Sequence, residues 1–451
     1  MRKLIIVLLL AQQVWSQSVN ALLTIYKDGF GLIKQPVSWN LNIGSNKIDY
    51  DRLPNGLFVD SPFLDLNNVT INFQRLDRDV FSSGKYFQYK LGGKVELKLA
   101  NDKAVSGTLI EYGASQITIR TKAEIQSFNR NNVDYISIKH NDEEVHIRPI
   151  LSWDVYTNKP GLANGYLVYL ANGFEWSTNY RMILMNGSEK ASFIPEAFIT
   201  NNSNLNFSNL NLNLVEGTLN RVQHQEVKSL IRSSTAMESI GTDMSYAVPI
   251  PTNEALGDYY IYNIPYKLNI KGHESITVRL YDSRDISYKK TYLFENYERS
   301  QKEEPLEVEL KIENTAENNL DIPLPQGKIE IFQTTDKDQF EFLGEDYIKQ
   351  IPKGATAKLT AGRAFDVIGK RKVLNYDKQR KSEEASIEIQ VTNSKDVDVN
   401  VKLIEKISGE WVIRDESTMY MKEDASTIYF PITVPAKSEV FVTYTYRKEW
   451  N

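Results

Sequence analysis

Apolar and polar residues alternate with period two along most of this chain, and helical periodicity is scarce. Such alternation sends every second side chain to one face of a strand, so the pattern predicts an all-β protein. The first long example is "ALLTIYKDGFGLIKQPVSWNLNIGSNKIDYDRLP". It reads as strand, turn at Asp28-Gly29, strand, turn at Gly44-Ser45, strand, filled with residues that suit a half-buried pleated surface. Residues 17–88 are expected to form a first β unit. Residues 89–150 contain a denser pattern. Val95, Leu97 and Leu99 alternate, an Asn101-Asp102 turn follows, Ile117 and Ile119 alternate, and Ile125, Val133 and Ile136 complete the set. Five short strands in so little chain predict a small SH3-like or Sm-like barrel, with Gly107 marking a sharp mid-strand bend.

The section 151–290 continues strand after strand, with turns at Asn172-Gly173 and Asn186-Gly187. Trp176 and Tyr180 are expected to anchor a sandwich core. "NLNFSNLNLNLVEG" alternates Asn with apolar residues and slips once at Ser208-Asn209, which predicts a bulged edge strand with one polar face. The pattern then breaks over 221–258. Val227, Leu230 and Ile231 hint at one or two helical turns in an otherwise polar excursion. Long excursions of this kind are often functional, so Val227, Leu230, Ile231, Met237, Met244 and Tyr246 are candidate partner-binding residues. "YYIYNIPYKLNIKGHESITVRLYD" resumes strand, turn, strand.

Residues 291–451 repeat strands with turn signals about every ten residues, the pattern of an immunoglobulin-like sandwich. Within it, "FLGEDYIKQIPKGATAKLTAGRAFDVIGKRKV" reads as a β-meander. Phe342-Leu343-Gly344 closes a strand, Glu345-Asp346 begins a turn, and Pro352-Lys353-Gly354 makes a tight one. Leu359 points inward, Gly362 allows a bend, and Phe365 and Val367 bury on one face. Arg363, Asp366, Lys370 and Arg371 are expected at the surface, solvated or paired with one another.

Composition narrows the class. Of 451 residues, 41% are apolar and 25% charged, which is ordinary for a folded protein, and the length implies several domains. A net charge of −5 with both signs interspersed offers no basic face for nucleic acid. The N-terminus "MRKLIIVLLLAQQVWSQS" places Arg2 and Lys3 before a short aliphatic run, with Val14 and Ser16 ahead of Gln17. That is the form of a secretory signal peptide over residues 1–16. No later segment is apolar enough for a transmembrane helix. The chain has no cysteine, so an exported protein must here rest on its cores, which suits a bacterial envelope.

Candidate chemistry is sparse. His140, Asp142, Glu144 and His146 share parity, and on one straight strand they would line one face as metal ligands. An Asn141-Asp142 hairpin accounts for the segment better and sends the two histidines to opposite faces, so no metal is expected. There is no G-x-S-x-G, H-E-x-x-H, Walker A or G-x-G-x-x-G motif. The acid pairs Glu303-Glu304 and Glu383-Glu384 each point to opposite strand faces. No catalytic residue and no cofactor is expected.

Several segments in order, "GFEWSTNYRMIL", "ITNNSNLNFSNLNLNLVEGTLNR", "IPLPQGKIEIFQ", "FLGEDYIKQIPKGATAKLTAGRAFDV" and "IEIQVTNSKDVDVNVKLIE", resemble the family known as domain of unknown function 4139, related to mucoidy-inhibitor-like envelope proteins. The resemblance spans about Leu151 to Trp450, and the preceding part is similar to shorter members that carry a small barrel instead of a coiled coil. It implies an exported, mostly β protein and no particular reaction. The expectation is therefore a non-catalytic envelope component that holds protein partners, in the periplasm or at an outer-membrane complex, with the cell surface as a further location. The alternative is a carbohydrate-binding or polysaccharide-processing envelope protein that stacks sugars on exposed aromatics, for which 25 tyrosines and 6 tryptophans leave room.

Overall fold

The computed structural model describes residues 17–78, 80–139, 148–217, 254–256, 259–335, 337 and 339–450. Among these the chain is nearly all β, with a single short α-helix at Ser83–Tyr89. No helix among them is long and apolar enough to cross a membrane. The strands build five sheets.

Sheet I orders Glu254–Leu256, Tyr259–Ile270, Asn206–Glu216, Leu22–Tyr26, Phe30–Leu41, Gly161–Asn172 and Phe63–Leu66, with Gln17–Val19 also on Asn206–Glu216. Sheet II is Gly44–Tyr50, Ile150–Thr157 and Thr70–Asp77. Residues 17–88 therefore form no sheet of their own. Phe30–Leu41 pairs with Gly161–Asn172, and Gly44–Tyr50 pairs with Ile150–Thr157. The strand Asn206–Glu216 is not an edge either. It pairs with Tyr259–Ile270 on one side and Leu22–Tyr26 on the other. The expected bulge is present, with Asn209 at φ 55° and register shifts around Leu210.

Sheet III orders Ile125–Asn129, Gln116–Arg120, Ala104–Tyr112, Lys94–Leu99 and Val133–Ile138, so the last strand returns to pair with the first. Its core is separate from the rest. Val95, Leu97, Leu109, Ile117 and Ile119 bury together, and the helix adds Phe87. The helix places the start of this module before residue 89. Gly107 serves a close approach, since a Cβ there would lie 2.6 Å from Arg120 O. Ile125 is exposed, outside the expected core.

Sheet IV orders Glu274–Arg279, Lys190–Asn201, Phe174–Leu184, Gly327–Thr334 and Phe340–Ile348, with Arg284–Ser287 also on Lys190–Asn201. It faces sheet I. Phe174 meets Phe207, Trp176 meets Tyr262, and Trp176 Nε1 donates to Val215 O across 3.2 Å. Tyr180 is fully buried and donates to Pro325 O at 2.7 Å. Tyr259–Ile270 and Glu274–Arg279, adjacent in sequence, thus divide between the two sheets.

Sheet V is a curled sheet of nine strands: Trp411–Arg414, Ser438–Glu449, Ser382–Asn393, Thr356–Lys378, Lys302–Glu313, Lys289–Tyr297, Val399–Lys406, Thr427–Val434 and Met421–Lys422. Phe430 and Tyr444 meet across it with ring centroids 5.3 Å apart. Gly327–Thr334 and Phe340–Ile348 leave this sheet and join sheet IV, where Gly327–Thr334 runs parallel to Phe174–Leu184. One connected apolar core runs through sheets I, II, IV and V. With no disulfide available, this continuous burial is the main stabilising term, at roughly 1.5–3 kcal/mol per large side chain.

Sheet I closes tightly at one glycine. A Cβ on Gly165 would fall 1.8 Å from the backbone oxygen of Asp65. Gly165→Ala is expected to push Phe63–Leu66 off the sheet and to cost about 2 kcal/mol or more. Urea unfolding of the purified variant checks this, and an unchanged midpoint would count against the packing described.

Candidate functional site

The long strand Thr356–Lys378 organises the site. It pairs with Lys302–Glu313 from Thr356 to Arg363, with one register shift between Thr360 and Arg363, and again from Ile368 to Arg371. Between the runs, residues 364–367 lie opposite Leu306 alone. Pro305 borders this bulge and has no N–H to donate to a ladder. The bulge turns Val367 inward, fully buried, and Phe365 outward, 89% exposed. The expected common buried face for the two residues is therefore wrong, because the extra residues break the alternation on which it relied.

Phe340–Ile348 lies beside this strand at the end of sheet IV. It runs straight through Glu345-Asp346, where a turn was expected, and the turn comes at Pro352-Lys353-Gly354. A second bulge sits at Leu343, since Ile331 faces Gly344 while Phe332 faces Phe342. Gly344 and Gly362 sit where the two strands approach, and their positive φ values of 156° and 97°, rather than any lack of space, favour glycine there. A Cβ on Gly344 would lie 3.8 Å from Ala361 O, and one on Gly362 would lie 4.0 Å from Leu343 O. Thr360 N donates to Asp346 Oδ2 at 2.7 Å. No ladder joins these strands among the described residues.

The result is an exposed apolar edge. Phe340 and Phe342 are 62% and 57% exposed, and Leu343, Tyr347 and Phe365 are exposed with them. The Phe342 ring contacts Phe332 at 5.5 Å, which holds it in place. Charged groups flank the apolar row. Glu341, Glu345 and Asp346 lie on the same strand, and Lys328 bonds Glu330 at 2.6 Å and approaches Glu345 at 3.6 Å. Exposed apolar side chains with charged neighbours are features that interaction surfaces share.

The other half of the long strand is held by a buried charge network. Arg371 is fully buried, not at the surface as the run of charged residues around it suggested. Its Nε donates to Glu405 at 3.1 and 3.2 Å and its Nη2 to Glu405 Oε2 at 2.8 Å. Nη1 donates to Ser300 O, and Nη2 also reaches Glu298 O at 2.6 Å and Tyr444 OH at 3.2 Å. The Tyr444 hydroxyl in turn donates to Glu405 Oε2. Burial opposes the guanidinium charge, but Glu405 and Tyr444 more than offset it and raise the Arg371 pKa. Burial, then the Glu405 charge, pushes the Tyr444 phenol well above its ordinary value. A second layer surrounds these. Lys448 reaches Glu298 at 2.8 Å and Glu383 at 3.6 Å, and Tyr376 donates to Glu383 at 3.2 Å. Every strong donor in the first layer has an acceptor inside the protein, so the network is built to hold strands rather than to meet a substrate.

Val227, Leu230, Ile231, Met237, Met244 and Tyr246 lie outside the described residues, as do His140, Asp142, Glu144, His146 and residues 1–16. Among the described residues no group of three or more His, Asp or Glu is placed to hold a metal ion. The aromatic edge was not foreseen. "QFEFLGED" alternates Phe, Glu, Phe, and that pattern reads as a core face. Only its place at the end of sheet IV exposes it.

No protein-family model matches the chain, and no curated protein matches it. The resemblance to the domain of unknown function 4139 family therefore rests on its motifs alone.

Removing one partner of the buried pair should be costly. Arg371→Met leaves Glu405 buried and unpaired and is expected to cost about 3–5 kcal/mol, most of it recovered in Arg371→Met/Glu405→Leu. A double-mutant cycle by urea unfolding measures both, and a double variant as unstable as the single one would contradict the account. Stability should also fall at both ends of the pH range. Burial works against ionisation of Glu298, yet hydrogen bonds from Lys448 and Ser408 hold its carboxyl below the usual range. Its contribution is intact above the unfolded carboxylate pKa, about 4.3, and is lost as pH falls through the lower folded value. Burial, then the Glu383 charge, raises the pKa of the Tyr446 phenol, so its contribution is intact below about pH 10 and is lost as pH rises beyond. Unfolding midpoints across pH should show a plateau between these arms, and Tyr446→Phe should flatten the alkaline one.

Proposed function

We propose that this chain is a non-catalytic, exported component of a cell-envelope protein complex, which holds a partner on the edge formed by Phe340, Phe342, Leu343 and Phe365. The observation that carries the reading is that edge: large apolar side chains, set outward by two bulges and backed by a rigid strand. Acidic residues line it, so the complementary partner is an extended apolar segment with basic flanks. Export is supported by the charged-then-aliphatic N-terminus. The periplasm or the periphery of an outer-membrane complex suits a chain of this composition. The motif resemblance to exported β proteins agrees with the same assignment. The Arg371–Glu405 network spends its donors within the protein, which agrees with a structural role for that network.

The test is purification of the full chain from native membranes, with a photo-crosslinker placed at position 342. The crosslink is expected to capture one protein reproducibly, through an apolar segment that carries Lys or Arg. Phe342→Ser/Phe365→Ser should reduce co-purification of that protein at least about tenfold with at most a small fall in melting temperature, since Phe365 is almost fully exposed and Phe342 loses only its partly exposed contact with Phe332. Undiminished co-purification by the double variant would overturn the assignment of this edge.

A further inference from the structure

A cleft at the start of the strand Lys289–Tyr297 carries a charge feature independent of the aromatic edge. Its volume is about 550 Å³, within the size of small-ligand clefts, roughly 300–1,000 Å³. Its charged lining is Lys289, Lys290, Lys402 and Glu189, and Asn400 and Thr433 add neutral polar groups. The register brings these together. Lys289–Tyr297 runs parallel to Val399–Lys406 with Tyr292 opposite Val401, and Asn400 lies opposite Thr433 on the next strand. Both Lys289–Tyr297 and Val399–Lys406 are laddered on two sides, so the floor of the cleft is fixed.

Cations are in surplus here. Lys402 is matched, since it meets Glu423 at 2.7 Å and lies 4.2 Å over the Tyr429 ring. Lys311, opposite Lys289 on the adjoining strand, is matched with Glu313 at 3.5 Å. Lys289 and Lys290 form no ion pair among the described residues. Glu189 is the single carboxylate among the described lining residues, and its Oε1 accepts the backbone N–H of Lys290 at 3.3 Å. A third unmatched cation, Lys395, lies outside the lining but near enough for its charge to act on Lys290. The turn that carries Lys395 is held by the buried Asn393, which accepts from Lys395 N at 3.0 Å and donates to Val397 O at 2.9 Å and Val434 O at 3.1 Å. Burial, then the Lys395 charge, pushes the Lys290 pKa down against the opposing charge of Glu189. A laddered strand and a braced turn thus hold two like charges near each other, in a chain whose net charge is −5.

We propose that this cleft binds a small oxyanion, a phosphate or a carboxylate, on Lys289 and Lys290. The anion supplies the negative charge that the lining lacks and offsets the repulsion between Lys290 and Lys395. It also meets a donor set in advance. Thr433 Oγ1 donates to Asn400 Oδ1 at 3.2 Å, which fixes the amide and leaves its N–H groups for other acceptors. A cationic ligand would add to the surplus, and a neutral one would leave it in place. Lysine ammonium groups act on phosphate and carboxylate alike as point charges, so the shared chemistry is charge and size.

The experiment titrates the full chain by calorimetry with inorganic phosphate, pyrophosphate and citrate at constant ionic strength, with glucose as the neutral control and a hexaglutamate peptide as the macromolecular one. Saturable binding of at least one of the three small anions is expected, weakened about tenfold by Lys290→Gln and by a smaller factor by Lys395→Gln. The two phosphates against citrate tell which oxyanion the cleft takes. Lys437→Gln removes a cation already matched by Asp396 at 3.1 Å and should leave the binding intact. Phe342→Ser should leave it intact as well, which separates this site from the protein-docking edge. Melting temperatures confirm that each variant is folded. Absence of saturation by all three anions up to about 10 mM, binding of hexaglutamate or glucose alone, binding indifferent to Lys290→Gln, or an equal loss in Lys437→Gln would each overturn the proposal.

Discussion

The ion pair of Arg371 and Glu405 is the constraint on which the C-terminal half depends. Arg371 lies on the long strand Thr356–Lys378 and Glu405 on Val399–Lys406, strands well apart in the order of sheet V. Their contact fixes how that sheet curls. The same guanidinium holds the backbone oxygens of Glu298 and Ser300, so the turn between two further strands is tied to the same point. An apolar contact of equal size could supply comparable stability. It could not impose so narrow a geometry, because the planar fork needs its acceptors at set angles.

That fixed point also explains the exposed edge. The long strand is anchored below by Arg371 and laddered above by Lys302–Glu313, and the surplus residues 364–367 must leave the ladder between them. Phe365 leaves with them. A flexible loop would let a free Phe fold back onto the nearest apolar surface. Here both ends of the bulge are held, and the ring stays in solvent. Sheet IV supplies the matching half through its own bulge at Leu343. Two irregularities in two sheets thus meet along one seam, which is the usual way a β protein aims side chains outward.

The wider architecture follows from interleaving. Strands from residues 17–88 complete sheets whose other members come from residues 150–270, and Gly327–Thr334 returns to sheet IV from the last third of the chain. Most strands of the large sheets thereby acquire two neighbours. Distant segments share one continuous core, which substitutes for the disulfides that the chain does not have.

The sequence by itself determined the all-β class, most of the tight turns, and the inward set of many strands. Period-two alternation and Gly or Asn at turn positions are local properties of the backbone, legible wherever they occur. Trp176, Tyr180 and Leu359 were expected in the core and are buried. Only the tertiary structure decided partner strands, edges and the fate of bulged residues. The alternation of "QFEFLGED" is the same at an edge as in a core, and a one-residue slip reverses every later side chain, so Phe365 could not be placed without the register of Lys302–Glu313. Arg371 is the sharpest case. Charged residues near it suggest a surface, and what buries it is a glutamate 34 positions away on another strand, a contact that no local pattern encodes.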